Sequence, residues 1–274
     1  MPRHLPPFRC ARGTLATILA LVVALGTAAT HPLPAAAATP TRKSAEASLL
    51  AWTNRDRAAL GLRPLRSDPR LAAIAETRAE NLAGVSTFSH AAAGGDLAPA
   101  FARADVQWYA WGENIARQPG GLTSATVVRI YEAWRGSGAH WALLMSPTMN
   151  YVGFGLVSRA SDGQVFGGGV FTESRDHTAP GARIDGVTRS GTTVTFAWHG
   201  YDPLLQSHWS GLRDYDAWYR IDGGAWRLVR DDTTATSLRL ASRPSGHRYW
   251  LMVRARDRAG NIGRASAPVS VWVP

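Results

Sequence analysis

Three side chains in the first half of this sequence carry the chemistry of an active or binding site. His90 sits in Phe88-Ser89-His90, Glu113 in Gly112-Glu113-Asn114-Ile115-Ala116, and His140 in Ser137-Gly138-Ala139-His140. Two imidazoles and a carboxylate can hold Zn²⁺ and leave a position open for water. The same set can act as general acid and base. Each residue lies beside Gly or Ser and reads as the end of an element, where segments can converge on one rim. By spacing alone, a scattered His-Glu-His trio is more often a set of satisfied polar groups. With one clear carboxylate, Glu113 cannot be metal ligand and general base at once. Ser89 and Ser137 stand near the imidazoles, but no nucleophile-elbow sequence accompanies them, which argues against a serine hydrolase.

These residues need elements to position them. Ser44 to Leu60 has helical periodicity, with Leu49, Trp52, Thr53 and Leu60 on the buried side and Gly61 as its cap. A second helix starts after Asp68 as N-cap with Pro69 at its first position, runs through Leu71, Ile74, Ala75, Arg78, Ala79 and Leu82, and stops at Gly84. A third covers about 123–134, with Val127, Val128, Tyr131 and Trp134 on one face. The period then changes. Tyr151–Val157 and Gln164–Phe171 read as a hairpin around Ser161-Asp162-Gly163. Helices followed by strands predict an α+β layered domain. Beyond the punctuation at Asp176, Thr178, Pro180 and Gly181, short alternating segments predict strands at 192–198, 215–221, 225–229, 237–240, 248–256 and 269–273, with Asp222-Gly223-Gly224 as a tight turn. That spacing argues for a β-sandwich.

Composition narrows the classes. The 274 residues suit about two domains, and 45% apolar with 18% charged residues excludes a disordered chain. A single Cys, Cys10, excludes a disulfide framework and a Cys-rich zinc module. Residues 1–38 read as a secretory signal: Arg3, Arg9 and Arg12, an apolar stretch from Leu15 to Ala29, then small residues at Ala35–Ala38. Cleavage lowers the formal net charge from +10 to +7 and leaves no Cys. The Arg residues are scattered, so no nucleic-acid stripe is present. No later apolar run is long enough to cross a bilayer, so no stable membrane span is expected after cleavage.

The trio sits inside an ordered pattern. Asn54-Arg55-x-Arg57, Gly61-Leu62-x-Pro64-Leu65, Asp68 with Leu71, Ala75 and Arg78-Ala79, then Phe88-Ser89-His90, Gly112-Glu113-Asn114-Ile115-Ala116, Trp134-x-x-Ser137-x-x-His140, Ser146-Pro147 and Val152-Gly153-x-Gly155 follow in sequence. This resembles the CAP superfamily: cysteine-rich secretory, antigen 5 and pathogenesis-related proteins and their bacterial relatives. The resemblance covers about residues 45–173 and implies an α-β-α sandwich, an extracellular location and a cleft of two His and two acidic residues. Carried over, the cleft is His90, Glu113 and His140, with Ser137 where animal and plant members place the second acid; His90 and His140 are the metal ligands it implies. Trp141 stands where bacterial members usually carry Arg. Gly167-Gly168-Gly169 replaces polar strand residues; it could widen a groove, though a loosened edge strand is the favoured explanation. Trp108, Tyr109 and Trp111 read as packing, and Asn114 as a ligand of local backbone.

The tail resembles bacterial fibronectin type III-like domains through Trp198, Ser210-Gly211-Leu212, Tyr215, Asp222-Gly223-Gly224-x-Trp226, Gly246-x-x-Tyr249 and Val253-x-Ala255-x-Asp257-x-Ala259-Gly260-Asn261. Tyr249 is placed like a tyrosine corner. Asp257 and Asn261 read as shaping a turn rather than binding metal. Trp209, Trp218 and Trp226 read as half-buried packing, and His199, His208 and His247 as surface or turn residues with no acidic partner at metal spacing. The expected organisation is signal peptide 1–38, linker 39–44, CAP domain 45–175, linker 176–182 and β-sandwich 183–274. The leading expectation is a secreted or wall-associated, non-enzymatic protein binding a small lipid, peptide or wall glycan, with no cofactor required and no nucleic acid. The alternatives are a Zn-dependent hydrolase using His90, His140 and Glu113, and a structural wall protein with a vestigial cleft.

Overall fold

The computed structural model describes residues 39–274; the expected signal peptide lies outside them. Helix α1 (Arg42–Ala59) starts two residues earlier than its periodicity suggested, because the Thr41 side chain accepts from the Ser44 amide. It buries Ala45, Leu49, Thr53 and Arg57, one residue per turn. Leu60 is exposed instead, past the helix end, and Gly61 takes the left-handed φ of +72° that ends it. A two-residue strand β1 (Arg66–Ser67) leads into α2 (Pro69–Gly84), whose first turn is capped by Asp68. Then come α3 (Ala98–Arg103), β2 (Ala110–Gln118), α4 (Ser124–Arg135), α5 (Gly138–Leu144), β3 (Tyr151–Ser158) and β4 (Val165–Glu173). In α4, Ile130 is buried where Val128 was expected.

The first sheet has the order β1-β3-β4-β2, parallel at β1/β3 and antiparallel elsewhere. Both of its faces are covered, so β3 and β4 alternate between two apolar sides. Val152, Phe154, Leu156 and Phe171 join the core with α1 and α4. Tyr151 and Val170 join residues of α2 and α3. Helix α2 lies directly on the glycines of β3: a Cβ at Gly155 would stand 2.5 Å from the Ala75 carbonyl carbon. The Gly167-Gly168-Gly169 run is not on an edge strand, because β4 pairs with both β2 and β3. At Gly167 and Gly169 it makes room for Leu156, Phe154 and Phe171. The domain is a three-layer α-β-α sandwich, and it forms without any Cys among the described residues.

The second half is all β: β5 (Gly181–Ser190), β6 (Thr193–Tyr201), β7 (Leu212–Ile221), β8 (Arg227–Thr233), β9 (Ser237–Leu240), β10 (His247–Asp257) and β11 (Val269–Val273). They form sheets of order β11-β10-β7-β8 and β5-β6-β9, a seven-stranded fibronectin type III-like sandwich. Strand β5 is polar and bulged between Ile184 and Gly186, which hid it from a hydrophobic pattern. Phe196, Trp198, Tyr249, Leu251 and Val253 fill the core. The Tyr249 hydroxyl donates to the Pro244 carbonyl at 3.0 Å, a tyrosine corner.

The two halves are docked in one compact unit. Leu205, in the β6–β7 loop, is fully buried with Leu71, Phe101 and Tyr151 of the first domain. Arg63 donates to the Leu205 carbonyl and Asn150 to the Ser207 carbonyl. Residues around the junction are themselves buried, including Ser174 and Asp176. No helix among the described residues is long and apolar enough to cross a membrane.

Candidate functional site

The site grows from α2 and β2. Alternation along β2 sends Glu113 and Ile115 toward α2, and Asn114 and Ala116 toward the opposite core. Glu113 is therefore in mid-strand, not at the end of an element. Helix α2 turns Arg78 inward to meet it. The guanidinium grips both carboxylate oxygens: Nε donates to Oε1, and Nη2 donates to Oε2 at 2.8 Å. The two side chains are only 6% and 3% exposed, so this is a desolvated, bidentate pair. Nη2 also donates to the Gly95 carbonyl at 2.9 Å and the His90 carbonyl at 3.3 Å, which fixes the 90–95 turn.

That turn presents His90. Its Nδ1 lies 2.7 Å from Glu113 Oε2 while the ring stays largely exposed. A carboxylate only accepts, so Nδ1 carries the proton and donates, and Nε2 faces outward as the reactive nitrogen. His140 comes from α5, which Ser137 precedes as N-cap without a side-chain capping bond. Its backbone carbonyl accepts from Asn114 Nδ2 at 3.1 Å, so Asn114 ties β2 to α5 rather than bonding local backbone. Burial, and then the nearby His90, hold the His140 pKa below its usual value. Its Nδ1 is buried without a hydrogen-bond partner.

The structure thus brings His90 and Glu113 into contact and sets His140 beside them. Arg78 is the member that the chemistry of the trio did not suggest; in the sequence it stands as one position of the α2 periodicity and of the Arg78-Ala79 motif. Arg78 is buried, and Glu113 is the acid on the facing strand that meets it. The arrangement does not fit Zn²⁺ as it stands. Both Glu113 oxygens are committed to a guanidinium, and the donor atoms of the trio are not among the described groups that converge within 4.8 Å. Glu132, on the outer face of α4, pairs with Arg135 and is not part of the site.

Beside this cluster, a groove of about 760 Å³ runs between α2 and α3. Ala73, Ile74, Ala93 and Ala100 give it apolar walls, and Thr77 and Arg78 polar ones. The signal for it is the stripe Pro69, Ala73, Thr77, Asn81, one α2 residue per turn. The nearby aromatics are partly open. Trp108 and Trp111 lean on Phe101 yet stay 40% and 37% exposed, and Tyr109 is 62% exposed and stacks on His208.

The histidines of the second domain lie at the surface, each beside a single acid rather than in a metal-spaced set. His208 meets Glu173, His199 meets Asp185 and His247 meets Asp222. Trp209 is 43% exposed, with Arg63 over its ring. Trp218 and Trp226 are half-buried under Arg254 and Arg220.

Residues 50–172 match the model of the cysteine-rich secretory protein family, CAP, and this part of the chain is a CAP domain. Among solved structures, an extracellular protein containing an SCP domain from Bacillus anthracis is 22% identical, with a TM-score of 0.42 over 48% of this chain and 41% of that one. An outer surface protein from Borrelia burgdorferi is 18% identical, with a TM-score of 0.44 over 50% of this chain and 97% of that one. An Fn3-like protein from Clostridium thermocellum is 21% identical, with a TM-score of 0.24 over 35% of this chain and 90% of that one. Endoglucanase B from Cellulomonas fimi is 35% identical over 94 residues, 34% of this chain but only 8% of that protein's length.

Proposed function

We propose that this is a secreted CAP-domain protein that acts at or outside the cell envelope and binds a small hydrophobic, peptide or wall-derived ligand without turning it over. The observation that carries this reading is the Arg78–Glu113 pair. A carboxylate held by both oxygens on a buried guanidinium is neither a free base nor a spare metal ligand, but it is a rigid support for His90. His90 then offers a largely exposed ring near the groove along α2, which Arg78 also lines and whose size is usual for small-molecule sites. The docked sandwich serves as spacer or adhesive unit. The short similarity to an endoglucanase favours a polysaccharide-rich setting for the protein.

The test is equilibrium binding of a fluorescent fatty acid and of soluble wall fragments to wild type and His90→Ala, beside a turnover assay on the same fragments. Saturable one-to-one binding, at least tenfold weaker in the variant and without turnover, is expected. Turnover that disappears in His90→Ala would replace binding with catalysis. A second reading rests on the unpartnered, buried His140 Nδ1, a donor that a metal could recruit if Glu113 left Arg78. Calorimetric zinc titration of wild type, His90→Ala and His140→Ala decides it: tight one-to-one binding lost in both variants would establish a metal site.

A further inference from the structure

Where the CAP domain meets the sandwich, three carboxylates are buried together. Asp176 comes from the connection after β4, Asp202 from the loop after β6 and Asp257 from the end of β10. Their residues are 3%, 8% and 0% exposed, and one oxygen from each lies within 4.8 Å of the other two. None of the ion pairs among the described residues reaches any of them. This differs from the other acidic group, Asp216, Asp231 and Asp232, where Arg256 supplies the opposite charge.

Several outward lone pairs are already used. Asp176 accepts from the amides of Thr178 and Ser210, Asp202 Oδ2 from the Gly211 amide, and Asp257 from the Asn261 amide and side chain. Asn261 does shape the turn as its position suggested, and its side chain also donates to the Asp176 carbonyl. Two oxygens of the group are left without a partner. Asp202 Oδ1 is buried with no hydrogen-bond partner, and so is the Ser210 hydroxyl oxygen. A buried carboxylate oxygen without a donor is costly, and three uncompensated acids side by side are more so.

We infer that Asp176, Asp202 and Asp257, with Ser210 beside them, form a calcium site that clamps the CAP domain to the sandwich. The donors are all hard oxygens, with no His or Cys, which disfavours zinc. Oxygens 2.3–2.6 Å from one ion stand up to about 5 Å apart, which matches the observed convergence. Magnesium keeps its waters and is held by one or two carboxylates, so three favour calcium. The ligands come from three segments that meet only at the junction, so the ion would set the angle between the CAP cleft and the sandwich.

The test is calorimetric titration of chelator-treated protein with calcium chloride, with thermal unfolding in millimolar calcium and in chelator. One-to-one binding with a Kd between about 10⁻⁵ and 10⁻³ M is expected, with a Tm higher in millimolar calcium by about 1 °C at the weak end of that range and about 5 °C or more at the tight end. Asp202→Asn keeps the shape and the Gly211 contact but removes one buried charge. It should weaken binding at least about tenfold and melt higher than wild type in chelator. Asp231→Asn, in the group served by Arg256, should bind calcium as wild type does. No binding and an unmoved Tm in wild type would overturn the proposal, as would binding that survives Asp202→Asn. A magnesium response as large as the calcium one would overturn the choice of ion.

Discussion

Arg78→Met tests whether the centre of the cleft depends on the buried ion pair. The substitution keeps much of the aliphatic stem of Arg78 and removes the guanidinium. Glu113, with its side chain 3% exposed, would be left with His90 as its remaining partner. The carbonyls of His90 and Gly95 would lose their donor. Removing one partner of a buried pair costs about 3–5 kcal/mol, because the survivor is a desolvated charge. For a chain of this size that lowers Tm by about 10 °C. The double variant Arg78→Met/Glu113→Leu removes both charges and should recover at least half of the loss, a coupling of about 2 kcal/mol. Urea unfolding followed by Trp fluorescence and far-UV circular dichroism measures all four corners of the cycle. A loss below about 1 kcal/mol for Arg78→Met, or additive single variants, would refute the claim that the pair is desolvated and mutually dependent.

Three further outcomes follow from other contacts. Gly155→Ala should cost about 3 kcal/mol or more, or abolish soluble expression, because its Cβ would meet the α2 backbone rather than a movable side chain; Gly84→Ala, with open space around it, serves as the control and should fold normally. Tyr249→Phe should lower stability by about 1 kcal/mol in chemical denaturation, because the buried Tyr249 ring loses its hydroxyl's hydrogen bond to the Pro244 carbonyl. His140 binds its proton less readily when folded than when unfolded, so its contribution is fully present above about pH 6.5 and lost as pH falls below that value. Stability–pH curves of wild type and His140→Gln should therefore diverge below pH 6.5, and parallel curves would show that His140 does not sense its burial.

Local rules made much of the fold legible. Asp68-Pro69 announced α2, Gly61 ended α1, and the hairpin at 161–163 and the tyrosine corner stand where short-range chemistry put them. These signals are local because caps, turns and strand alternation act within a few residues. The motif Asn54-Arg55-x-Arg57 was visible as a pattern, but its work was not. Asn54 pairs with both backbone groups of Leu65. Arg57 spends its donors on four carbonyls, from Arg63, Leu144, Ser146 and Met149, and burial holds its pKa down at about 10.

The sequence by itself determined the two-domain order and most helices and strands, and it pointed to His90, Glu113 and His140, because each leaves a mark in periodicity or in a short motif. Tertiary structure alone decided that Arg78 owns the Glu113 carboxylate, that the glycine run lies on a central strand, and that Leu205 of the second domain completes a core of the first. It alone brought Asp176, Asp202 and Asp257 together. Such pairings join positions tens of residues apart, and no local pattern records which charge ends up buried beside which, or whether an opposite charge arrives to meet it.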